Sequence, residues 1–192
     1  MNPADVKKIL QYALDKEHYG ECICMTLVLF CGVRKEEAGK LFWNALDFDH
    51  KTVSIEAGVA KGARRRTNEI PPNAWEWIKE SMLGDPLKRQ LLVPKNYTNR
   101  LRAIRTAAGV AYSQNAMRHS FASYHVGQQH SADRTALLMG HPNATLLFTT
   151  YRDVVSPDVA AKYWQVYPDA FARAKTKKSK EHQKQVEAML AD

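Results

Sequence analysis

Between Cys22 and Val33 the chain is almost without polar side chains, and that run constrains the fold more than any other stretch. A helix that is apolar on every side cannot lie on a surface; it must be wrapped by other elements. The run falls well short of the roughly 18 residues a membrane span needs. A helix from Glu21 to Cys31, ended by Gly32, is therefore expected at the centre of a core. Cys22, Cys24 and Cys31 lie inside it without a C-x-x-C pair, which suits buried reduced thiols better than a disulfide frame or a zinc site. No basic start with an apolar stretch and a cleavage site is visible, so a cytoplasmic protein is expected.

Other helices should gather around that centre. Asn2-Pro3-Ala4-Asp5 reads as a helix start, with Val6, Ile9, Leu10 and Ala13 at helical spacing. A short helical turn from Val33 to Lys40 has Arg34 at its mouth. Ala45 to Ile55 then alternates around Asp49-His50-Lys51, a strand, turn, strand pattern. Glu69-Ile70 before Pro71-Pro72 gives a third strand, with Ala60 to Arg66 as the loop before it. Trp75, Trp77, Ile78 and Met82 open a further helix, followed by helices near 96–109, 115–130, 131–139, 143–151 and 156–164. The expected fold is mainly α with a small three-stranded antiparallel β-sheet at its edge. A chain of 192 residues suits one domain with a tail. The reading is a domain over 1–173, then a basic linker and C-terminal helix over 174–192, where Val186, Met189 and Leu190 share a face.

Charge narrows the partners. Lys plus Arg is 28 against 20 for Asp plus Glu, a net +8 with a pI near 9.4. Such a balance draws polyanions, nucleic acid first among them, although a solvated basic surface gives the same count.

Four stretches carry candidate chemistry. They are Gly32-Val33-Arg34, the loop Ala60-Lys61-Gly62-Ala63-Arg64-Arg65-Arg66, Asn115-Ala116-Met117-Arg118-His119, and Gly140-His141 with Tyr151 ten residues on. In this order and spacing they resemble the catalytic domain of the tyrosine recombinases, the phage-integrase family. In that family the first arginine follows a glycine and an apolar residue at a helix start, as Arg34 does. Its lysine sits between strands two and three, as Lys61 does, and an arginine-rich run with Ile-Pro-Pro closes the hairpin. Its His-x-x-Arg-His box is matched by Asn115 to His119, and its Gly-His pair by Gly140-His141. The resemblance implies Arg34, Lys61, Asn115, Arg118 and His141 around a nucleophilic Tyr151, with Arg64, Arg65 and Arg66 on the DNA backbone. It implies site-specific DNA recombination: a strand is cut and rejoined through a 3′-phosphotyrosyl intermediate, without metal or cofactor. It further implies double-stranded DNA as partner, a tetramer on DNA, and exchange of the C-terminal helix between neighbours. The DNA-clamping domain that usually precedes this one is expected to be absent.

Asn115 is the departure, because the family usually has histidine there. Asparagine can donate a hydrogen bond to a phosphate but cannot exchange a proton near neutral pH. A DNA-binding relic or regulator with impaired cleavage is therefore the alternative function. A relaxing topoisomerase with the same chemistry is a third reading.

The residue types make sense on physical grounds alone. Guanidiniums keep their charge at any working pH and give paired hydrogen bonds to non-bridging phosphate oxygens. They also stabilise charge that builds up in the transition state. A tyrosine of pKa about 10 is only ~0.1% phenolate at neutral pH, a handicap of roughly 4 kcal/mol that nearby cations reduce. A lysine can protonate the departing 5′ oxygen. Each residue also has a plainer reading. Arg34 could pair with Glu36 or Glu37 at its helix start, Lys61 and Arg64 to Arg66 could form a solvated loop, Arg118 could be a buried structural arginine, His141 a helix cap, and Tyr151 a core aromatic.

Overall fold

The computed structural model describes residues 1–60, 64–82, 91–145 and 155–174. Lys61, Tyr151, most of the helix expected over 143–151, and all but the first residue of the linker and C-terminal helix lie outside them.

Helix α1 spans Pro3–Asp15. Asn2 caps it by accepting from the Asp5 amide at 2.8 Å, and Pro3 supplies a first-turn residue that needs no amide partner. Its inner face is Val6, Ile9, Leu10 and Ala13, each fully buried, as the spacing predicts. Helix α2, Tyr19–Phe30, is buried from Gly20 onward, so the apolar run does occupy the centre. Gly32 follows at φ +68, where a Cβ would meet the Phe121 ring at 2.7 Å. Only glycine turns the chain there without strain. Helix α3 is a single turn, Lys35–Ala38, with Arg34 as its N-cap residue.

The sheet is three antiparallel strands in the order β1 (Leu46–Asp47), β2 (Thr52–Ile55) and β3 (Arg66–Glu69). Asp47 closes the first turn by accepting from the amides of Asp49 and His50 at 3.0 and 2.9 Å. The register pairs Val53 with Asn68 and Ile55 with Arg66. Here the structure corrects the sequence reading. The third strand starts at Arg66, not at Glu69, so Arg66 belongs to the ladder and not to the loop.

Helix α4 spans Pro72–Met82, α5 Tyr97–Ala107, α6 Ala116–Gln129, α7 Ala132–Leu138 and α8 Pro157–Trp164. Aromatic side chains lock α2, α6 and α8 together. Tyr163 stacks on Tyr124 with centroids 4.0 Å apart, lies 5.1 Å from Phe30, and donates to the Leu29 carbonyl at 2.6 Å. Trp77 of α4 is fully buried and donates to the Val166 carbonyl at 2.9 Å. The three cysteines are buried free thiols, and burial pushes Cys22 and Cys24 up to about 12. Among the described residues no helix is long and apolar enough to cross a membrane.

Candidate active site

The site is assembled where the C-terminal ends of α2 and α7 meet the start of α3, the edge of β3 and the first turns of α6. Helix C-termini leave carbonyls unpaired and carry partial negative charge. Arginines answer both ends. Arg118 donates through Nη1 to the Gly32 carbonyl at 2.8 Å and through Nη2 to the Met139 carbonyl at 2.5 Å. Arg34 donates through Nη2 to the Gly140 carbonyl at 3.0 Å.

Gly140 gives α7 its ending. It adopts φ +67, its amide donates to the Leu137 carbonyl at 2.9 Å, and the His141 amide donates to the Ala136 carbonyl at 2.8 Å. This paired closure is a Schellman motif, which glycine favours. It turns the chain so that the His141 ring lies beside Arg118, with Nε2 3.2 Å from Nη2. A guanidinium can only donate, so Nε2 is the acceptor. Burial, then the charges of Arg118, Arg34 and Arg66, push His141 down to about 4. Its ring is neutral near pH 7.

A single carboxylate organises the cluster from beneath. Glu37, with a side chain 2% exposed, accepts at Oε2 from the Arg34 amide at 2.9 Å and at Oε1 from Arg34 Nη1 at 2.9 Å. Arg66 grips the same carboxylate, Nη2 to Oε2 at 2.5 Å and Nη1 to Oε1 at 3.3 Å. Burial alone would raise Glu37, but the Arg66 hydrogen bond, the Arg34 amide and the remaining arginine contacts prevail and hold it near 2. With His141 neutral, three guanidiniums and one carboxylate leave a formal charge of +2 at this point. Such a point suits an anion by charge and by the type of donor.

The sequence-derived candidates therefore divide. Arg34, Arg118 and His141, up to 107 positions apart in the chain, are brought together. Asn115 is exposed at the N-cap of α6 in a left-handed conformation, φ 63, three residues before Arg118. Arg64 is exposed, and Arg65 is exposed while pairing with Glu56 at 3.2 Å. Arg66 departs from its neighbours: its side chain is 11% exposed and turned inward to Glu37. Lys61 and Tyr151 fall outside the described residues.

Two contributors are not evident from the sequence. Glu37 reads there as a pairing partner for Arg34, yet it serves two arginines. Asn68 is buried and donates to the Cys31 and Leu138 carbonyls at 2.6 and 2.8 Å. Arg66 and Asn68 are two apart in β3 and so share a face, a relation that appears only once the strand is known to start at Arg66. The cluster also lies off the cleft of ≈ 580 Å³ that runs along Phe30, Phe121, His125 and Trp164. None of Arg34, Glu37, Arg118 and His141 lines that cleft.

The model of the phage integrase family matches residues 1–156. The chain belongs to the phage integrase family. No curated protein sequence matches it. Among solved structures it is similar to XerA recombinase, with TM-score 0.63 and 14% identity over 85% of this chain and 63% of that one. It is also similar to a lambda integrase dimer bound to a core site, with TM-score 0.59 and 16% identity over 80% of this chain and 58% of that one. XerH recombinase in a post-cleavage complex gives TM-score 0.61 and 21% identity over 86% of this chain and 52% of that one. The chain thus spans between about half and two thirds of the structures it resembles. These likenesses establish a tyrosine-recombinase catalytic-domain fold: mainly helical, with a three-stranded antiparallel sheet. In this phage integrase family member Arg34 stands at the start of α3, Arg118 on α6, and Gly140-His141 on the closure of α7.

Proposed function

We propose that this chain cuts and rejoins DNA strands in site-specific recombination. The observation that carries the reading is the convergence of Arg34, Arg118 and His141 on one cationic point from distant parts of the chain. In this reading Arg34 and Arg118 hold the non-bridging oxygens of a phosphodiester. A guanidinium has five N–H donors, and the side-chain bonds of Arg34 named above use two of them. Tyr151 attacks phosphorus through its phenolic oxygen, the bond from phosphorus to the 5′ oxygen breaks, and Lys61 supplies the proton that completes the 5′ hydroxyl. The tyrosine proton leaves to solvent or a neighbouring base. A 5′ hydroxyl of another strand reverses the step, so no ATP or metal is consumed. Asn115 donates a hydrogen bond to the phosphate from the mouth of α6, and Arg64 and Arg65 contact the backbone.

Duplex DNA is the proposed partner, engaged by a tetramer. Two of the solved relatives are themselves DNA complexes, one of them a dimer. Residues 174–192 are proposed as a linker and a helix exchanged between neighbours, and the protein as cytoplasmic. Deleting 180–192 then abolishes recombination between two sites; undiminished recombination removes the exchange. The relic reading rests on Asn115 alone, and the family match with its assembled arginines does not favour it.

The test is covalent trapping on a pool of nicked suicide duplexes with randomised sequence. Wild type is expected to carry DNA through phenol extraction and to enrich a common sequence, and Tyr151→Phe to carry none. The reading fails if wild type yields no adduct, or if Tyr151→Phe still yields it.

A further inference from the structure

Arg66 touches none of the reacting groups proposed above, yet it is the most constrained cation of the described hairpin. It lies on β3 opposite Ile55, so its backbone is fixed by the ladder. Its Nη2 and Nη1 face the two oxygens of Glu37 at 2.5 and 3.3 Å, and its Nε donates to the Leu138 carbonyl at 3.0 Å. Each of those partners leads to the anion site. Glu37 holds Arg34 by backbone and side chain. Leu138 is the last residue of α7, immediately before the Met139-Gly140-His141 turn. The two guanidiniums meet at Gly140, whose position would place a Cβ 2.9 Å from Arg66 Nη1 and 3.0 Å from Arg34 Nη1.

We propose that Arg66 is a positioning residue of the phosphodiester site, setting Arg34 through Glu37 and the His141 turn through the Leu138 carbonyl. The inference rests on the anion-site reading above. Its physical basis is the planar fork of arginine. One side chain serves a carboxylate and a carbonyl at once, which a lysine ammonium, a single point of charge, does not reproduce. Arg66 also shares the charge of Glu37. Without it, the buried carboxylate would lean more heavily on Arg34 and draw that guanidinium inward. Because Arg66 belongs to the β2–β3 hairpin, the same contact links the setting of that hairpin to Arg34 and His141.

The test is a titration with inorganic phosphate, read from the His141 side-chain resonances in long-range proton–nitrogen spectra of the full chain. Wild type is expected to give a saturable shift at His141. If it does not, the anion-site reading itself fails, and this is known before any variant is made. Given that shift, Arg66→Met and Arg66→Lys are each expected to weaken phosphate binding roughly tenfold. Arg66→Met combined with Glu37→Gln is expected to bind within about threefold of Glu37→Gln alone, since the Glu37 path is already lost and the Leu138 contact is what remains to lose. Wild-type affinity in Arg66→Lys would reduce the role to charge and overturn the inference. So would independent, multiplying effects in the double variant. If Arg66→Met does not fold, Arg66→Lys decides the question alone.

Discussion

Arg118 donates to His141: Nη2 lies 3.2 Å from Nε2, and the same nitrogen serves the Met139 carbonyl. The contact fixes the ring as an acceptor on its Nε2 side. A neutral ring that accepts at Nε2 keeps its one proton on Nδ1, and a bound phosphate favours a second proton at Nε2. Without ligand His141 should titrate near 4, held down by burial and then by Arg118, Arg34 and Arg66. A bound phosphate adds negative charge and should move that midpoint upward. Side-chain nitrogen shifts followed across pH, with and without phosphate, check this; an unmoved midpoint contradicts it.

Acid stability follows from the same sign. His125 is also pushed down to about 4, by burial and then by Arg134. A histidine with a lowered folded-state value takes up its proton on unfolding, so stability falls as pH drops below about 6.5 and levels off near 4. Glu37 titrates lower: its contribution is present above about 4.5 and is lost only as pH falls toward 2. Urea midpoints should therefore decline between pH 7 and pH 5, and His125→Gln should flatten the decline. An equal slope in that variant would remove His125 from the account.

Gly32 and Gly140, both left-handed, should differ in kind. At Gly32 an added methyl meets the Phe121 ring at 2.7 Å in the core. Gly32→Ala should cost about 2 kcal/mol or more through strain and overpacking. At Gly140 the methyl meets the guanidiniums of Arg66 and Arg34 at 2.9 and 3.0 Å. Gly140→Ala should cost about 1–2 kcal/mol from the backbone and weaken phosphate binding as well. Denaturant unfolding paired with the phosphate titration separates the two effects.

Tyr163 and Tyr151 should part company. Tyr163 is fully buried and donates to the Leu29 carbonyl at 2.6 Å. Tyr163→Phe leaves that acceptor unpaired and should cost about 1–3 kcal/mol while still forming the covalent adduct. Loss of the adduct in a folded Tyr163→Phe would question Tyr151 as nucleophile.

Asn115→His should be tolerated, because the position is exposed and its left-handed backbone suits histidine as it suits asparagine. Stability should hold within about 0.5 kcal/mol. If the asparagine limits proton exchange, adduct formation or resealing becomes faster; equal rates mean that protons move by another route.

Much of the fold could be read from patterns with short-range causes. The central helix follows from an apolar run, α1 from its cap and spacing, and the first hairpin from alternation around Asp49-His50-Lys51. The start of β3 could not, because Arg66 looks like a loop arginine until its inward partner is known. Glu37 was equally opaque. Its spacing to Arg34 announces a helix-start pair, but the second arginine comes from a strand 29 positions away.

By itself the sequence determined the helical core, the small sheet and the order of Arg34, Arg118 and Gly140-His141, because periodicity, caps and spacing are local properties of a chain. Tertiary structure alone decided that the helix ends at Gly32 and Gly140 face each other, that Arg34 and Arg118 pair with their carbonyls, and that Arg66 turns inward. Those outcomes depend on where a buried carboxylate and unpaired helix-end carbonyls meet donors from distant strands and helices. Such partners are chosen by packing in three dimensions, and no spacing along the chain encodes them.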